Sequence, residues 1–268
     1  MPRLARPPGP TRAFPFMRLL KMSREPLTYF SQLRSEYGPL VHFSLGPTHL
    51  YLVSDPELIR EVLVTHAKVL HKDRGLDAAK LLLGQGLLTS EGDFHKRQRR
   101  LAQPAFHHGR IASYAEVMSR FAARHVDGWR DGQELEVNAE MMRLALAIVG
   151  KTLFDTDTED DAKEIAEALD VVMELFTFLR LPFARILDRI PVLPSTRRFR
   201  KAKARLDATV FRLIREHRGA GDKGDLMSML IAAQDTEGDG GQMTDEQLRD
   251  EAMTIFLAGH ETTANALS

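Results

Sequence analysis

Residues 258–263 read Ala-Gly-His-Glu-Thr-Thr, which places two small residues and a histidine before an acid and two alcohols. The apolar spacing around them predicts a helix. A glycine inside a helix costs about 1 kcal/mol relative to alanine, so Gly259 favours a place where a flat ligand or another backbone comes close. Thr262 can bond the carbonyl four residues back and bend the helix beside that ligand. The alternatives are that Gly259 permits tight helix packing and that Glu261 is solvated.

A second candidate group lies in the basic run of residues 95–100, His-Lys-Arg-Gln-Arg-Arg. His95 and Arg99 are four residues apart, so they share one face of a helix. An imidazole beside a guanidinium suits a carboxylate, because arginine offers two parallel donors. The alternatives are a solvated basic surface and a nucleic-acid patch. The run is short and has no interleaved aromatic residues, which on its own favours solvation.

Two other motifs fail on spacing. His260-Glu261 resembles the start of a zinc-protease helix, but that motif needs a second histidine at position 264, which is alanine. Gly84 and Gly86 resemble a nucleotide-binding turn, but position 89 is threonine instead of the third glycine, and no βαβ pattern surrounds them.

The amino-acid composition excludes several kinds of site and of protein. The 268 residues include 37 Lys+Arg, 37 Asp+Glu and no cysteine. The lack of cysteine excludes disulfides, thiolate metal ligands and a cysteine nucleophile within these residues. Zero formal net charge gives no overall reason to expect nucleic acid as a partner. Apolar runs fall short of the ~18 residues that a spanning helix needs, so we expect a soluble, cytoplasmic protein without an integral membrane segment.

The elements that must hold these groups are mostly helical. We predict a helix over residues 26–37, a hairpin of residues 40–43 and 49–53, and a helix capped by Ser54 that runs to about residue 64. A short helix follows Gly92. Apolar residues then recur at three- and four-residue steps, which predicts further helices, each with one apolar face. One such apolar stripe consists of Ile111, Tyr114, Met118, Phe121, His125 and Trp129. Another consists of Phe199, Ala202, Leu206, Val210 and Leu213.

The last helix is predicted to begin at Thr244, whose capping partner is Gln247, and it carries residues 258–263. No linker divides the chain, so we expect one domain over residues 1–268. The predicted fold class is mostly α with a small β-sheet.

These residues carry a family resemblance. Residues 258–263 resemble the oxygen-binding (I) helix motif of the cytochrome P-450 superfamily, the heme-thiolate monooxygenases. Residues 86–92, followed by His95-x-x-x-Arg99-Arg100 and Gln-Pro-Ala-Phe at 103–106, resemble its heme-propionate helix. Residues 37–56 resemble its first helix, hairpin and second helix. A histidine at position 95, where an aromatic residue is usual, is typical of soluble bacterial members.

The resemblance implies a role for each candidate residue around heme b, with dioxygen as co-substrate. His95 and Arg99 would bind a heme propionate, and Ala258 and Gly259 would form the wall along porphyrin and dioxygen. Glu261 and Thr262 would be the proton-delivery pair. The apolar segment 176–193 falls where the family has its substrate-access lid, with ordinary core as the alternative. The implied substrate contacts are Leu87, Leu88, Phe176 and Phe178.

The resemblance implies the N-terminal portion of the cytochrome P-450 fold, truncated within the I helix. Its function would be insertion of one atom of dioxygen into an apolar organic substrate, with electrons from a ferredoxin or a flavoprotein reductase. The family's cysteine ligand and its Glu-x-x-Arg helix are not in these residues, so no metal ligand is expected in this chain. We therefore expect an incomplete domain that is inactive alone. The alternative is a non-catalytic helical ligand-binding or interaction protein, and peripheral membrane contact is compatible with either.

Overall fold

The computed structural model describes residues 6–10, 15–72, 74–155, 194–238 and 240–268. Contacts between Cα atoms divide the chain into two compact units, Met1–His71 and Lys72–Ser268. Within the described ranges the chain is mainly helical, and its sheet has two strands. The predicted fold class, mostly α with a small sheet, is confirmed.

The first unit contains the hairpin. Its elements in chain order are α1 (Pro15–Arg24), α2 (Pro26–Tyr37), β1 (Leu40–Leu45), β2 (Thr48–Val53), α3 (Pro56–Arg60), a π-helical turn (Glu61–Thr65) and a 3₁₀ turn (Ala67–Val69). The strands pair antiparallel, with Leu40 opposite Val53. Alternate residues of a strand point to opposite faces, and on β1 the buried ones are Val41 and Phe43, which pack with Tyr29 and Leu33 of α2.

One predicted cap in this unit is wrong. The sequence suggested that Ser54 caps α3, but Asp55 does so, since its carboxylate accepts hydrogen bonds from the backbone N–H groups of Glu57 and Leu58, both at 3.0 Å. The Ser54 hydroxyl donates instead to the carbonyl of Pro39 at 3.1 Å. An ionised carboxylate is the stronger acceptor for helix N–H groups, which agrees with this choice.

The second unit carries the candidate site. Its helices are α4 (Arg74–Leu83), α5 (Gly92–Ala102), α6 (His108–Asp127), α7 (Val137–Phe154), α8 (Pro194–Ala220), α9 (Leu226–Ala232) and α10 (Asp245–Leu267), with a 3₁₀ turn at Gln103–Phe106. The core of this unit forms around α7 and α10, where the rings of Phe154 and Phe256 lie 6.2 Å apart. None of the helices described is long and apolar enough to cross a membrane.

The predicted apolar stripes differ in their outcome. The stripe of α8 is buried at Ala202, Leu206, Val210 and Leu213. On α6, Tyr114 is buried, whereas Ile111 and Met118 are 46% and 47% exposed. Trp129, the last residue of the predicted stripe, lies beyond the end of α6 and is 38% exposed. Helical periodicity fixes which residues share a face, but burial also needs a partner element against that face.

A buried ion pair joins α8 to α9. The His217 ring places Nε2 2.8 Å from Asp225 Oδ2 and Nδ1 2.8 Å from the carbonyl oxygen of Leu213. Both neighbours are acceptors, and a neutral imidazole has only one N–H, so this geometry requires the imidazolium. Burial alone lowers the pKa of His217, but the hydrogen bonds to Asp225 and to the Leu213 carbonyl outweigh it and raise the pKa. Burial likewise raises the pKa of Asp225, and the bonds from His217 and from the N–H of Ser228 more than reverse that effect.

We predict that His217→Gln lowers the free energy of unfolding by roughly 3 kcal/mol at pH 6, because Asp225 is left buried without its cation. The raised pKa of His217 means that its contribution is present in full below the pKa of the unfolded state and is lost as pH rises through the folded value. The deficit of the variant should therefore shrink at pH 9. Urea unfolding at both pH values measures it, and an equal deficit at the two would contradict the imidazolium assignment.

Candidate functional site

The helix that carries the main candidate residues is anchored at its start. The Thr244 hydroxyl accepts from the N–H of Gln247 at 3.2 Å, and the Gln247 side chain accepts from the N–H of Thr244 at 2.9 Å. This is the predicted capping box, and it begins α10 at Asp245. The buried face of α10 includes Leu248, Ala252 and Phe256, so the rotation of residues 258–263 is fixed by the core.

Ala258 and Thr262 lie one turn apart on α10, and both are exposed. The Thr262 hydroxyl donates to the carbonyl oxygen of Ala258, as the sequence suggested. A Cβ atom built on Gly259 would lie 3.3 Å from Cγ2 of Val149 on α7, so this glycine packs closely against a neighbouring helix. Glu261 is half-buried. Gly259 therefore lies close against α7, and Ala258 and Thr262 are exposed on α10.

The basic pair lies on α5, as predicted from its four-residue spacing. His95 is half-buried, and its Nδ1 lies 3.2 Å from the hydroxyl of Ser90. Burial lowers the pKa of His95, and the positive charges of Lys72 and Arg99 lower it further. The imidazole is therefore neutral at neutral pH, and it sits inside a cluster of cations.

Arg99 is exposed and has no hydrogen-bond or ion-pair partner among the residues that the structure describes. Its neighbours in sequence differ, since Arg100 pairs with Asp235 at 2.9 Å and Lys96 pairs with Asp93 at 2.8 Å. An unpaired guanidinium beside the neutral His95 is a donor set that fits a carboxylate ligand.

Helices α5 and α10 are joined through buried polar side chains. Gln98 of α5 donates from Nε2 to Glu251 Oε1 of α10 at 3.2 Å, and neither side chain is exposed. Arg97 donates to the Gln98 oxygen at 3.3 Å, which fixes the direction of that amide. This link sets the position of the helix that carries His95 and Arg99 against the helix that carries Thr262.

The loop between α4 and α5, residues 84–90, runs along α10 at very short range. A Cβ atom on Gly84 would lie 2.1 Å from the Asp250 carboxylate, and one on Gly86 would lie 2.2 Å from the Thr254 hydroxyl. Gly84 also has a φ of +56°, a backbone conformation that residues with a side chain rarely adopt. The two glycines of this loop, which do not fit a nucleotide site, are explained by this close approach.

Glu251 is the most strongly perturbed carboxyl group of the site. Burial raises its pKa to about 7, against the opposing effects of the Leu87 N–H and the Gln98 amide, which stabilise the charge. Asp250 raises the pKa further and Lys72 lowers it. Around neutral pH, Glu251 is therefore divided between its protonated and ionised forms.

We predict that Glu251→Gln gains stability relative to the wild type as pH rises from 4 to 8. A folded-state pKa of about 7 against 4.5 means that the protonated group contributes stability below pH 4.5, and that this is lost as pH rises through 7. The difference corresponds to about 3 kcal/mol at most, and glutamine does not ionise. Urea unfolding of the wild type, Glu251→Gln and the exposed control Glu246→Gln measures it. The same change between pH 4 and pH 8, relative to the wild type, in both variants would contradict the raised pKa of Glu251.

The four residues predicted to touch substrate are only partly described. Leu87 is half-buried and packs against the main core, and Leu88 is 43% exposed. Phe176 and Phe178 lie outside the described residues. Reasoning from the sequence missed Asp250, Glu251 and Lys72. A signal existed for Glu251, because it falls between Leu248 and Ile255 on the apolar face of α10, where an acid is unusual.

A family model described as Cytochrome P450 matches residues 7–268. The chain belongs to the cytochrome P450 family. This P450 chain is 41% identical over 253 residues to cyclooctatin synthase of Streptomyces melanosporofaciens, covering 93% of this chain and 54% of that protein. It is 36% identical over 252 residues to pentalenene oxygenase of Streptomyces avermitilis, covering 92% of this chain and 55% of that protein.

A solved structure is similar as well. The heme domain of cytochrome P450DA superposes with a TM-score of 0.80 at 27% identity, covering 97% of this P450 chain and 58% of that one. The chain spans about half the length of the curated relatives it matches. The family binds heme. The residues of this chain can be compared with what a heme propionate needs, and the exposed Arg99, with the neutral His95 and the nearby Lys72, supplies donors for it. The residues of this P450 chain therefore fit that part of the group.

Proposed function

We propose that this chain forms part of a heme-dependent monooxygenase that inserts one atom of dioxygen into an apolar organic substrate. The observation that carries the proposal is the unpaired Arg99 guanidinium on α5, a helix that Gln98 and Glu251 join to the helix of the oxygen-binding motif. A basic site that binds a carboxylate, and a helix whose small residues let a ligand come close, would then hold one flat, anionic cofactor. Residues 1–268 would belong to a single domain of that enzyme.

In this proposal Arg99 and His95 hold a propionate, and Ala258 with Gly259 forms the wall beside the porphyrin. The bound heme supplies the activation of dioxygen and the redox chemistry. Thr262 presents a hydroxyl on the same exposed face as Ala258, and its oxygen can still accept a hydrogen bond while it donates to the Ala258 carbonyl. Glu261 is the neighbouring acid that exchanges protons with solvent.

The proposal that the enzyme is a monooxygenase extends to its substrate class and its redox partner. Leu87 and Leu88 would contribute apolar contacts, together with Phe176 and Phe178. We propose a similarly apolar organic substrate. Electrons would come from a ferredoxin or a flavoprotein reductase. The enzyme would act in the cytoplasm, and peripheral contact with a membrane is compatible with that location.

A hemin titration tests the proposed carboxylate site. Arg99→Ala should weaken hemin binding by about tenfold, because a carboxylate loses a charge-assisted hydrogen bond. Lys96→Ala is the matched control, since Lys96 lies on the same helix and pairs with the exposed Asp93. Equal dissociation constants for Arg99→Ala and wild type would contradict the proposal, and a chain without saturable hemin binding would favour the non-catalytic alternative.

A further inference from the structure

The 84–90 loop is held from α10 by two adjacent acids. The N–H of Gln85 donates to Asp250 Oδ2 at 2.7 Å, and the N–H of Leu87 donates to Glu251 Oε2 at 3.0 Å. These bonds join residues more than 160 positions apart. Glu251 has no exposed surface, and its second oxygen is occupied by Gln98. Both oxygens of this buried carboxylate therefore accept hydrogen bonds, one from the loop and one from α5.

A cation holds the same loop by its carbonyl groups. The ammonium of Lys72 donates to the carbonyl oxygen of Leu87 at 3.0 Å and to that of Ser90 at 2.7 Å. Within the loop, Thr89 donates to the Gly84 carbonyl at 2.7 Å. The backbone around Leu88 is therefore fixed on its N–H and C=O groups, yet the Leu88 side chain itself stays 43% exposed. An exposed apolar side chain on a fixed backbone is suited to contact an apolar ligand.

We infer that Glu251 is a positioning residue that fastens the 84–90 loop to α10 and thereby fixes Leu88 as an apolar contact for a ligand. The ligand contact rests on the proposed function, whereas the fastening does not. The charged groups that face Glu251 are Asp250 on its own helix and Lys72 across the loop, and Arg97 approaches it through Gln98.

Proton linkage makes this fastening testable. Because burial raises the pKa of Glu251 to about 7, an opened loop that solvates the carboxylate binds protons more weakly than the closed one. Opening is therefore favoured as pH rises from 4.5 to 7, by about tenfold per pH unit, and it levels off above 7, where the carboxylate is ionised in both forms. Glutamine at this position keeps an oxygen for only one of the two N–H donors and cannot ionise, so Glu251→Gln should remove the pH dependence.

Hydrogen exchange on the 268-residue chain, between pH 5 and 8.5, tests the fastening without heme or substrate. After correction for intrinsic base catalysis, peptides covering residues 84–90 should exchange about tenfold faster per pH unit between pH 5 and 7 in the wild type, relative to peptides from α7, and this rise should level off above pH 7. In Glu251→Gln the ratio should stay flat, and Glu246→Gln should behave like the wild type. The same pH dependence in Glu251→Gln and wild type would overturn the inference.

A second readout covers the side chain of Leu88. The chain has no cysteine, so Leu88→Cys accepts a single nitroxide label. Its electron paramagnetic resonance spectrum should show a restricted label at pH 5 that becomes more mobile at pH 7.5, and the additional substitution Glu251→Gln should remove this pH dependence. A label equally mobile in all four samples would overturn the inference, while a failed hemin titration would leave this result unaffected.

Discussion

Replacing Thr262 by alanine is expected to divert electrons from product to hydrogen peroxide in a catalytically competent P450 that contains these residues. The Thr262 hydroxyl lies on the exposed face of α10, and its donation to the Ala258 carbonyl fixes the direction of the oxygen. Alanine removes this positioned group but keeps the helix. We expect product formation to fall on the order of 100-fold, the scale of a positioned proton-transfer group, while heme binding is retained.

The measurement is hydrogen peroxide formed per substrate molecule oxidised, under single-substrate turnover with excess reductant. Thr262→Ser is the conservative variant and should restore most of the coupling, because it keeps a hydroxyl. Thr263→Ala is the matched control from the next position, which lies on a different face of the helix. A Thr262→Ala variant with the wild-type ratio would show that the hydroxyl serves helix packing alone.

Residues 1–268 by themselves are expected to show no monooxygenation at all when loaded with heme. The iron of this family needs a thiolate ligand that favours O–O cleavage, and these residues include no cysteine. A histidine such as the exposed His107 could bind iron instead, whereas His260 is buried against Phe256. An imidazole ligand does not supply the electron density of a thiolate.

The spectrum of the reduced, carbon-monoxide-bound sample tests this expectation. We expect no red-shifted, thiolate-type Soret band from the 268-residue chain with hemin, and no oxidised product from an apolar substrate. A small thiol added to the same sample is the positive control, because it can supply the missing ligand. A thiolate-type band without added thiol, together with substrate turnover, would contradict the expectation.

Local features of the fold were predictable from the sequence. Helix α2 spans Pro26–Tyr37 as predicted, because proline suits its first turn and Gly38-Pro39 stops it. The hairpin formed around Gly46, and the capping box of Thr244 and Gln247 is present with both bonds. Each of these depends on neighbours within a few residues, which the sequence displays directly. The spacing that joins His95 to Arg99 is of the same kind.

The missed features depend on distant contacts. Glu251 is buried because Leu87 and Gln98 meet it from positions more than 150 residues away. The close approach of Gly259 to Val149 likewise depends on how α7 and α10 pack. Periodicity placed Met118 on an apolar stripe, but burial is decided by the elements that cover a face. A sequence shows faces and spacings, and only the assembled helices show which polar group is enclosed.

In the proposed enzyme, His95, Arg99 and the Ala258–Thr262 face of α10 surround one heme. The most direct test is nuclear magnetic resonance of the isotope-labelled chain with one equivalent of ferric heme, compared with the diamagnetic zinc porphyrin. Paramagnetic broadening should be strongest at the amides of Ala258, Gly259 and His95 and absent at Trp129. Broadening centred on His42 and His49 or on His107, with these amides unaffected, would contradict the account.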